Sequence, residues 1–160
     1  KLEIEMICPS HGVILRTFIP QILEAYGRWA KNECDPDKVV IVYDSMWGST
    51  EEMVEKIKAE YEALGKKVFV HCLRDEHYSQ VMGDIVEAKF IMLGASTLNN
   101  NMMPTMAAFL TYMKGLKPKN RIGLAFGSYG WSGEATKQVD EIMQGLGWHT
   151  MPIRKQLYRG

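Results

Sequence analysis

A loop between an apolar run and a helical pattern has the residue types to bind a phosphate without a charged side chain. The run is Val39 to Tyr43, the loop spans residues 45–50, and Glu51 opens the helical pattern. Hydroxyl groups and the free backbone N–H groups at a helix start can together hold a phosphate monoester. The loop has no Lys or Arg, so we predict an uncharged phosphate site made by Ser45, Met46, Trp47, Gly48, Ser49 and Thr50.

Three alternative roles for this loop can be tested on the same residues. A nucleoside triphosphatase loop needs a Gly-Lys-Ser/Thr ending, and a dinucleotide fingerprint needs three glycines at fixed spacing. The loop has no lysine and only one glycine, Gly48. An ordinary N-cap, in which a Ser or Thr side chain caps a helix that begins with glutamates, accounts for the loop about as well as a phosphate site does.

Two further loops follow apolar runs in the same way. Residues 94–101 follow the run 90–93, and residues 127–133 follow the run 122–126. In an open parallel sheet, ligands lie beyond the carboxyl ends of the strands, so we expect the three loops to line one crevice. The additional predicted site residues are Ser96, Thr97, Leu98, Asn99, Asn100, Asn101, Gly127, Ser128, Tyr129, Gly130, Trp131, Ser132 and Gly133.

The side chains of these loops suit a flat ring that carries several carbonyl and imide groups. Asn side chains and loop amides can bond the polar edge of an isoalloxazine, while Trp47, Tyr129 or Trp131 can lie against its faces. Packing in the core is the competing role for the aromatic residues. A Trp in a polar loop flanked by Gly is seldom a core residue, so the sequence favours flavin mononucleotide (FMN) as the cofactor.

The three loops together resemble those of a known family. The pattern Ser45-x-x-Gly48-x-Thr50 matches the phosphate loop of flavodoxins. Residues 96–100 and 127–133 are similar, more narrowly, to the flavodoxin domain of flavodiiron proteins, the A-type flavoproteins. The resemblance implies an electron-transfer module that carries FMN and belongs to an oxygen reductase or nitric oxide reductase.

The start of the chain is similar to a different part of those proteins. Residues 7–12 resemble the last metal-ligand segment of the metallo-β-lactamase-like diiron domain that precedes the flavodoxin domain. The resemblance implies that residues 1–35 are the end of that domain with a linker helix, and that residues 36–160 are the FMN-binding domain. His11 would ligate iron in the parent protein only. Taken alone, a His between Ser and Gly is more often a loop hydrogen-bonder, and one imidazole cannot hold two irons.

The resemblance also implies partners. The electron donor would be a protein such as rubredoxin, or a reduced deazaflavin, and the acceptor would be a diiron centre contributed across a head-to-tail homodimer. The chain offers no catalytic acid, base or nucleophile, so it is expected to transfer electrons, and the oxidoreductase activity would belong to the parent.

Three alternative functions compete with this one. A free-standing flavodoxin-like electron carrier would use the same cofactor. A flavin reductase would need a second dinucleotide site, and the G-x-G-x-x-G pattern is absent. A receiver domain would need a paired acidic cluster, whereas Asp44 stands alone at the end of its strand.

The elements that must position the loops follow from the spacing of apolar residues. Their alternation, with the resemblance, predicts an α/β fold: a flavodoxin-like doubly wound sheet of five parallel strands in the order 2-1-3-4-5, without its final helix. A short strand over Leu2, Ile4 and Met6 and a helix over 20–31 would form an N-terminal appendage. The predicted strands are 39–43, 67–73, 90–93, 121–126 and 150–157, and the predicted helices are 51–64, 78–88, 104–113 and 134–146.

Composition limits the remaining function classes. The 160 residues are 46% hydrophobic, and 19 basic residues balance 19 acidic ones, so no overall field attracts nucleic acid or an anionic membrane. No apolar run approaches the ~18 residues of a membrane span and no signal peptide opens the chain, which predicts a cytoplasmic location. The spacing of Cys8, Cys34 and Cys72 disfavours a disulfide framework and a zinc knuckle.

Overall fold

The computed structural model describes residues 3–158, and strands and helices alternate in it as the sequence predicts. The chain divides into two compact units, residues 1–33 and residues 34–160. The helices are α1 (Ile19–Ala30), α2 (Ser49–Ala63), α3 (Tyr78–Ile85), α4 (Pro104–Leu116) and α5 (Glu134–Gly145). The strands are β1 (Asp35–Asp44), β2 (Lys67–Cys72), β3 (Ala88–Ala95), β4 (Thr97–Leu98), β5 (Asn101–Met102), β6 (Ile122–Tyr129), β7 (His149–Thr150) and β8 (Arg154–Leu157).

The first unit contains the predicted helix but not the predicted strand. Helix α1 has a proline in its first turn, where the missing N–H has no helical partner to lose. Ile4 and Met6 are exposed and lie in no strand, and Leu2 lies outside the described residues. A single antiparallel bridge joins Ile7 to Leu15. Alternating apolar residues therefore did not suffice for a strand here, because strand residues need a paired neighbour along their length.

The main sheet has the strand order expected of a flavodoxin-like fold. The order is β2-β1-β3-β6-β7, with β8 also pairing with β6, and all these pairs are parallel. Strands β4 and β5 form a separate antiparallel hairpin. Because β7 and β8 share the fifth position, the order is the predicted 2-1-3-4-5. Pro152 lies between β7 and β8, and a proline has no N–H to offer a ladder, so the fifth strand is split.

Two apolar clusters, one on each face of the sheet, form the core of this unit. On one face, Val39 and Ile41 of β1 pack with Met53 and Val54 of α2. On the other face, the alternate residues of β1 belong to a cluster that also contains side chains from α3, α4 and α5. A parallel sheet covered on both faces brings the carboxyl ends of its central strands to one edge, where the three loops begin.

The described helices also bear on membrane association. None of the helices within residues 3–158 is both long enough and apolar enough to cross a bilayer.

Candidate functional site

Three hydroxyl groups meet at the carboxyl ends of β1, β3 and β6. Thr50 Oγ1 lies 3.0 Å from Ser96 Oγ and 2.9 Å from Ser128 Oγ, and the two serine oxygens are 3.1 Å apart. All three side chains are buried. Each comes from a different loop, so this hydroxyl cluster (Thr50, Ser96 and Ser128) joins the phosphate loop to the second and third loops.

The phosphate loop is held in shape by bonds within itself. Gly48 has a φ of 86°, in the left-handed region that favours glycine, and its N–H donates to Ser45 Oγ over 3.0 Å. Helix α2 then begins at Ser49, and no described side chain makes a cap hydrogen bond to its first turn. The ordinary N-cap that competed with the phosphate site is therefore not formed. The first N–H groups of α2 are left to bind an anion.

A cavity of about 570 Å³ opens beside the hydroxyl cluster, and its volume is within the usual range for small-molecule sites. Among residues 3–158, none of those that line it is charged. The lining residues are Met46, Trp47, Ser49, Ser96, Thr97, Leu98, Asn99, Asn100, Ser128, Tyr129, Gly130, Trp131, Ser132 and Tyr158.

The two loop tryptophans are at the surface rather than in the core. Trp47 is 75% exposed and Trp131 is 92% exposed, and both line the cavity. Core packing, the competing role for them, does not apply. Tyr158, which follows β8, completes the wall, and its N–H donates to the Tyr129 carbonyl over 2.8 Å. Tyr158 was not among the predicted site residues because it lies on none of the three loops.

The second loop folds back on itself as a hairpin. Strands β4 and β5 flank a two-residue turn, in which Asn99 has a φ of 49° and Asn100 a φ of 59°. Such turns need positive φ at both central residues, which Asn tolerates better than most residues. The Ser132 hydroxyl donates to Asn100 Oδ1 over 3.0 Å and ties the hairpin to the third loop. This segment was predicted as a plain loop, although its consecutive asparagines are a turn signal.

Some predicted site residues support the loops and do not line the cavity. Gly127 lies where β6 passes close to β3, since a Cβ placed on it would be 1.9 Å from the carbonyl oxygen of Ala95. Asn101 is bonded to the carbonyl of Asn99. The predicted residues outside the lining are Ser45, Gly48, Thr50, Asn101, Gly127 and Gly133.

Two carboxyl groups adjoin the site without lining the cavity. Asp44 is fully buried directly before the phosphate loop, and this burial raises the pKa of its carboxyl. The backbone N–H of Ser45 and the Arg74 guanidinium act in the opposite direction and lower the pKa. The Arg74 Nε lies 3.5 Å from Asp44 Oδ1. The Thr105 hydroxyl donates to Asp44 Oδ2. Glu134 begins α5, and the adjacent Ser132 hydroxyl, followed by the backbone N–H of Glu134 itself, lowers the pKa of its carboxyl.

The positions of the acidic, His and Cys side chains show whether the described residues could form a metal site or the acidic cluster of a receiver domain. Within residues 3–158, no three of these side chains are placed to hold a metal ion. A receiver needs a paired acidic cluster, and Asp44 is instead bonded to Thr105 and paired with Arg74. His11 is exposed in the first unit, and its role as an iron ligand of the parent stays a prediction.

The chemistry of the site fits a phosphate monoester attached to a flat polar ring. Hydroxyl groups and free helix N–H groups lie at one place, and aromatic side chains, loop amides and an uncharged wall surround the adjoining cavity. Neutral donors suffice for such a phosphate at a helix start. The aromatic rings offer faces for stacking.

Comparison with known proteins agrees with this chemistry. The family model for flavodoxin matches residues 41–152. The chain is 43% identical over 149 residues to the rubredoxin-oxygen oxidoreductase of Megalodesulfovibrio gigas, covering 90% of this chain and 36% of that protein. It is 41% identical over 143 residues to the nitric oxide reductase of Moorella thermoacetica, covering 89% and 36%. The chain thus spans little more than a third of the length of these two relatives.

Solved structures give the same picture. The rubredoxin oxygen:oxidoreductase of Desulfovibrio gigas superposes with a TM-score of 0.86 at 39% identity, over 97% of this chain and 40% of that chain. A flavodoxin from the domain Archaea superposes with a TM-score of 0.68 at 33% identity, over 76% of this chain and 84% of the flavodoxin.

Proposed function

This chain belongs to the flavodoxin family, and on that premise we propose that it is the flavin module of a longer protein that reduces oxygen or nitric oxide at two irons. The resemblance to flavodiiron proteins that the three loops indicated is confirmed by the relatives. The domain is an FMN-binding electron-transfer domain. Its uncharged cavity beside the hydroxyl cluster is the observation that carries this function.

Different residues of the site would bind different parts of the cofactor. Ser49 and the first N–H groups of α2, with the hydroxyl cluster behind them, would hold the phosphate. Trp47 and Trp131 would lie against the ring, and the β4–β5 hairpin would present its backbone to the ring edge. Bound FMN would supply reversible electron transfer, and the protein would set the reduction potentials of the flavin through hydrogen bonds and nearby charge.

The role in a longer protein is supported by what the relatives are named for. One is named for oxidising rubredoxin with oxygen and another for reducing nitric oxide, and this chain matches little more than a third of each. The proposed path takes electrons from rubredoxin or a reduced deazaflavin, through the FMN of this domain, to a diiron centre across a head-to-tail dimer. We place the protein in the cytoplasm, as its sequence predicts.

Anaerobic rapid mixing tests this function. The chain, loaded with FMN, is mixed with reduced rubredoxin, and bleaching of the yellow colour is followed with NADH in place of rubredoxin as the control. We expect bleaching by rubredoxin within seconds and none by NADH. Efficient bleaching by NADH alone would instead favour the flavin reductase. A chain that binds no FMN under these conditions would contradict the flavin function altogether.

A free-standing electron carrier is the second candidate. The archaeal flavodoxin favours it, because this chain covers 84% of that protein but little more than a third of the rubredoxin-oxygen oxidoreductase and of the nitric oxide reductase. Addition of a separately purified diiron domain distinguishes the two candidates. If the chain is the proposed module, the mixture should reduce nitric oxide or oxygen rapidly. If the chain is a free-standing carrier, which has no surface fitted to the diiron domain, the rate of reduction should be lower.

A further inference from the structure

The β4–β5 hairpin forms one wall of the cavity, yet it is too small to hold itself in place. Each strand has two residues, and the turn residues Asn99 and Asn100 both have positive φ. An isolated two-stranded hairpin is only marginally stable in water, and a non-glycine residue in the left-handed region adds a cost. The position of this wall must therefore depend on bonds from outside the hairpin.

Gln138 of α5 makes most of those bonds, beside the bond from the Ser132 hydroxyl to Asn100 Oδ1. Its Oε1 accepts from the Met102 N–H over 2.9 Å, and its Nε2 donates to Asn101 Oδ1 over 3.0 Å. The same Nε2 lies 3.5 Å from the Asn100 carbonyl oxygen, a weak contact. Asn101 links Gln138 to the turn, because its Nδ2 donates to the Asn99 carbonyl over 2.9 Å. One side chain is thus linked, directly or through Asn101, to every residue from 99 to 102.

The space behind the hairpin leaves room for it to shift. Met102 and Gln138 line a groove of about 620 Å³ between α4 and α5, whose walls include Lys114, Lys117 and Glu141. Met102 packs against the core cluster that includes Ala135 and Val139 of α5, but the groove leaves the rest of that side open. The hydrogen bonds of Gln138 therefore add the polar restraint from α5 to the packing of Met102.

We infer that Gln138 is a positioning residue for the flavin ring. It does not line the cavity, and it acts through the hairpin, whose residues 97–100 do. The inference rests on FMN binding in this cavity. Gln138 makes no bond to the hydroxyl cluster or to the phosphate loop, so its loss should weaken contacts to the ring and leave phosphate recognition intact.

A pair of matched substitutions on one helix tests this role. Gln138→Met keeps the length and helix propensity of the side chain and removes its hydrogen bonds. Gln144→Met is the control, because within residues 3–158 the Gln144 side chain bonds only inside α5, to Asp140 Oδ2 over 2.6 Å. We expect Gln138→Met to weaken binding of FMN and of riboflavin by the same factor, roughly tenfold, and Gln144→Met to leave both unchanged.

Three results would overturn the inference. Affinities unchanged by Gln138→Met in a folded protein would show that the hairpin does not need Gln138. A loss for FMN without a loss for riboflavin would show that Gln138 acts on the phosphate end. An equal loss with Gln144→Met would show that the effect is general loosening of α5. Gln138→Glu, which keeps the acceptor for the Met102 N–H but loses the donor, should restore part of the affinity.

A measurement on the free chain separates this inference from the proposed function. Hydrogen exchange of the Met102 amide should quicken at least tenfold in Gln138→Met, while the Leu73 amide, which donates to the Tyr43 carbonyl, serves as the internal control. Unchanged Met102 exchange would contradict the positioning role. If the unmutated chain bound no FMN, the proposed function would fail, and this comparison would still decide whether Gln138 holds the hairpin.

Discussion

One hydroxyl group, that of Thr50, connects the start of α2 with both other loops. Replacing Thr50 by Val keeps the shape of the side chain and removes its bonds to Ser96 and Ser128. Because loss of a hydrogen bond that supports a charged group costs about 1.5 to 3 kcal/mol, FMN should bind about 10 to 150 times more weakly. Riboflavin has no phosphate and should be little affected, as titration of both ligands would show.

The matched control for this change is Thr111→Val. Thr111 lies in α4, and its hydroxyl donates to the Ala107 carbonyl within the same helix. This variant should bind both ligands normally. Equal losses of FMN and riboflavin with Thr50→Val would mean that the hydroxyl cluster shapes the ring site rather than the phosphate site.

Trp131 is the most exposed of the large apolar side chains in the described part of the chain, at 92%. If its indole packs on the flavin, Trp131→Ala should weaken FMN binding by about 1 kcal/mol and raise the fluorescence of the bound flavin. Tyr112→Ala is the control, because Tyr112 is an exposed aromatic residue that does not line the cavity. Unchanged fluorescence and affinity would assign Trp131 to a partner surface.

The buried Asp44 should make stability depend on pH. Its pKa is raised above the ordinary value of 3.8, so the folded state keeps the proton to a higher pH than the unfolded state does. The contribution of Asp44 to stability is then full below pH 3.8 and is lost as the pH rises through the raised pKa. Urea titrations of the FMN-free chain from about pH 4 to about pH 7 measure this decline as a fall in the free energy of unfolding, and Asp44→Asn should remove it.

An exposed carboxyl group with the opposite shift provides the comparison. A hydrogen bond and the charge of Lys66 lower the pKa of Asp37, so any contribution of Asp37 would be lost as the pH falls. The Asp37→Asn variant should therefore keep the decline that Asp44 causes. A decline of equal size in the Asp44→Asn variant would assign it to another group.

At the scale of elements, β3 and β6 approach each other closely at Gly127. A methyl group there would be 1.9 Å from the Ala95 carbonyl oxygen, a backbone atom that cannot rotate away. We expect Gly127→Ala to lower the free energy of unfolding by about 3 kcal/mol or to prevent folding. Denaturant titration measures this change.

Gly83→Ala is the matched control for the close approach. Gly83 lies within α3, and nothing stands within 4 Å of where its Cβ would be. Alanine in a helix interior is favoured over glycine by about 0.5 to 1 kcal/mol, so this variant should be slightly more stable. A neutral Gly127→Ala would show that β3 and β6 can separate without cost.

The elements that could be predicted from the sequence are those with strong periodicity. The run Val39 to Tyr43 is apolar without interruption because β1 is buried on both faces, and that pattern needs no knowledge of its neighbours. The β4–β5 hairpin escaped prediction because two-residue strands carry no periodicity. Pro152, which splits the last strand, was a visible signal that the predicted strand 150–157 did not take into account.

The candidate site was predictable in its residue types but not in its bonds. Gly, Ser, Thr and Asn at three strand ends pointed to one crevice. Which hydroxyl groups meet could not be predicted, since Thr50 and Ser128 are 78 positions apart in the chain. Gln138 and Tyr158 lie outside the loops, so only the folded arrangement relates them to the site.

At the scale of the whole molecule, the chain should bind FMN but fail to retain two irons. Within residues 3–158, no three His, Cys, Asp or Glu side chains form a metal site, and the resemblance assigns only His11 to iron. Metal analysis after reconstitution with iron should find far fewer than two irons per chain. About two irons per chain with rapid nitric oxide consumption would contradict this, and His11→Ala would then show whether His11 binds iron.

The uncharged cavity has a consequence for the electrophoretic behaviour of the chain. The chain has a formal net charge of zero at pH 7, and a phosphate monoester adds about −1.5 to −2 at that pH. Because none of the lining side chains within residues 3–158 is charged, no lining group of that range takes up a proton to offset this charge when the cofactor enters. Loaded and empty molecules should therefore separate as distinct bands on a native gel, and riboflavin should cause no such displacement.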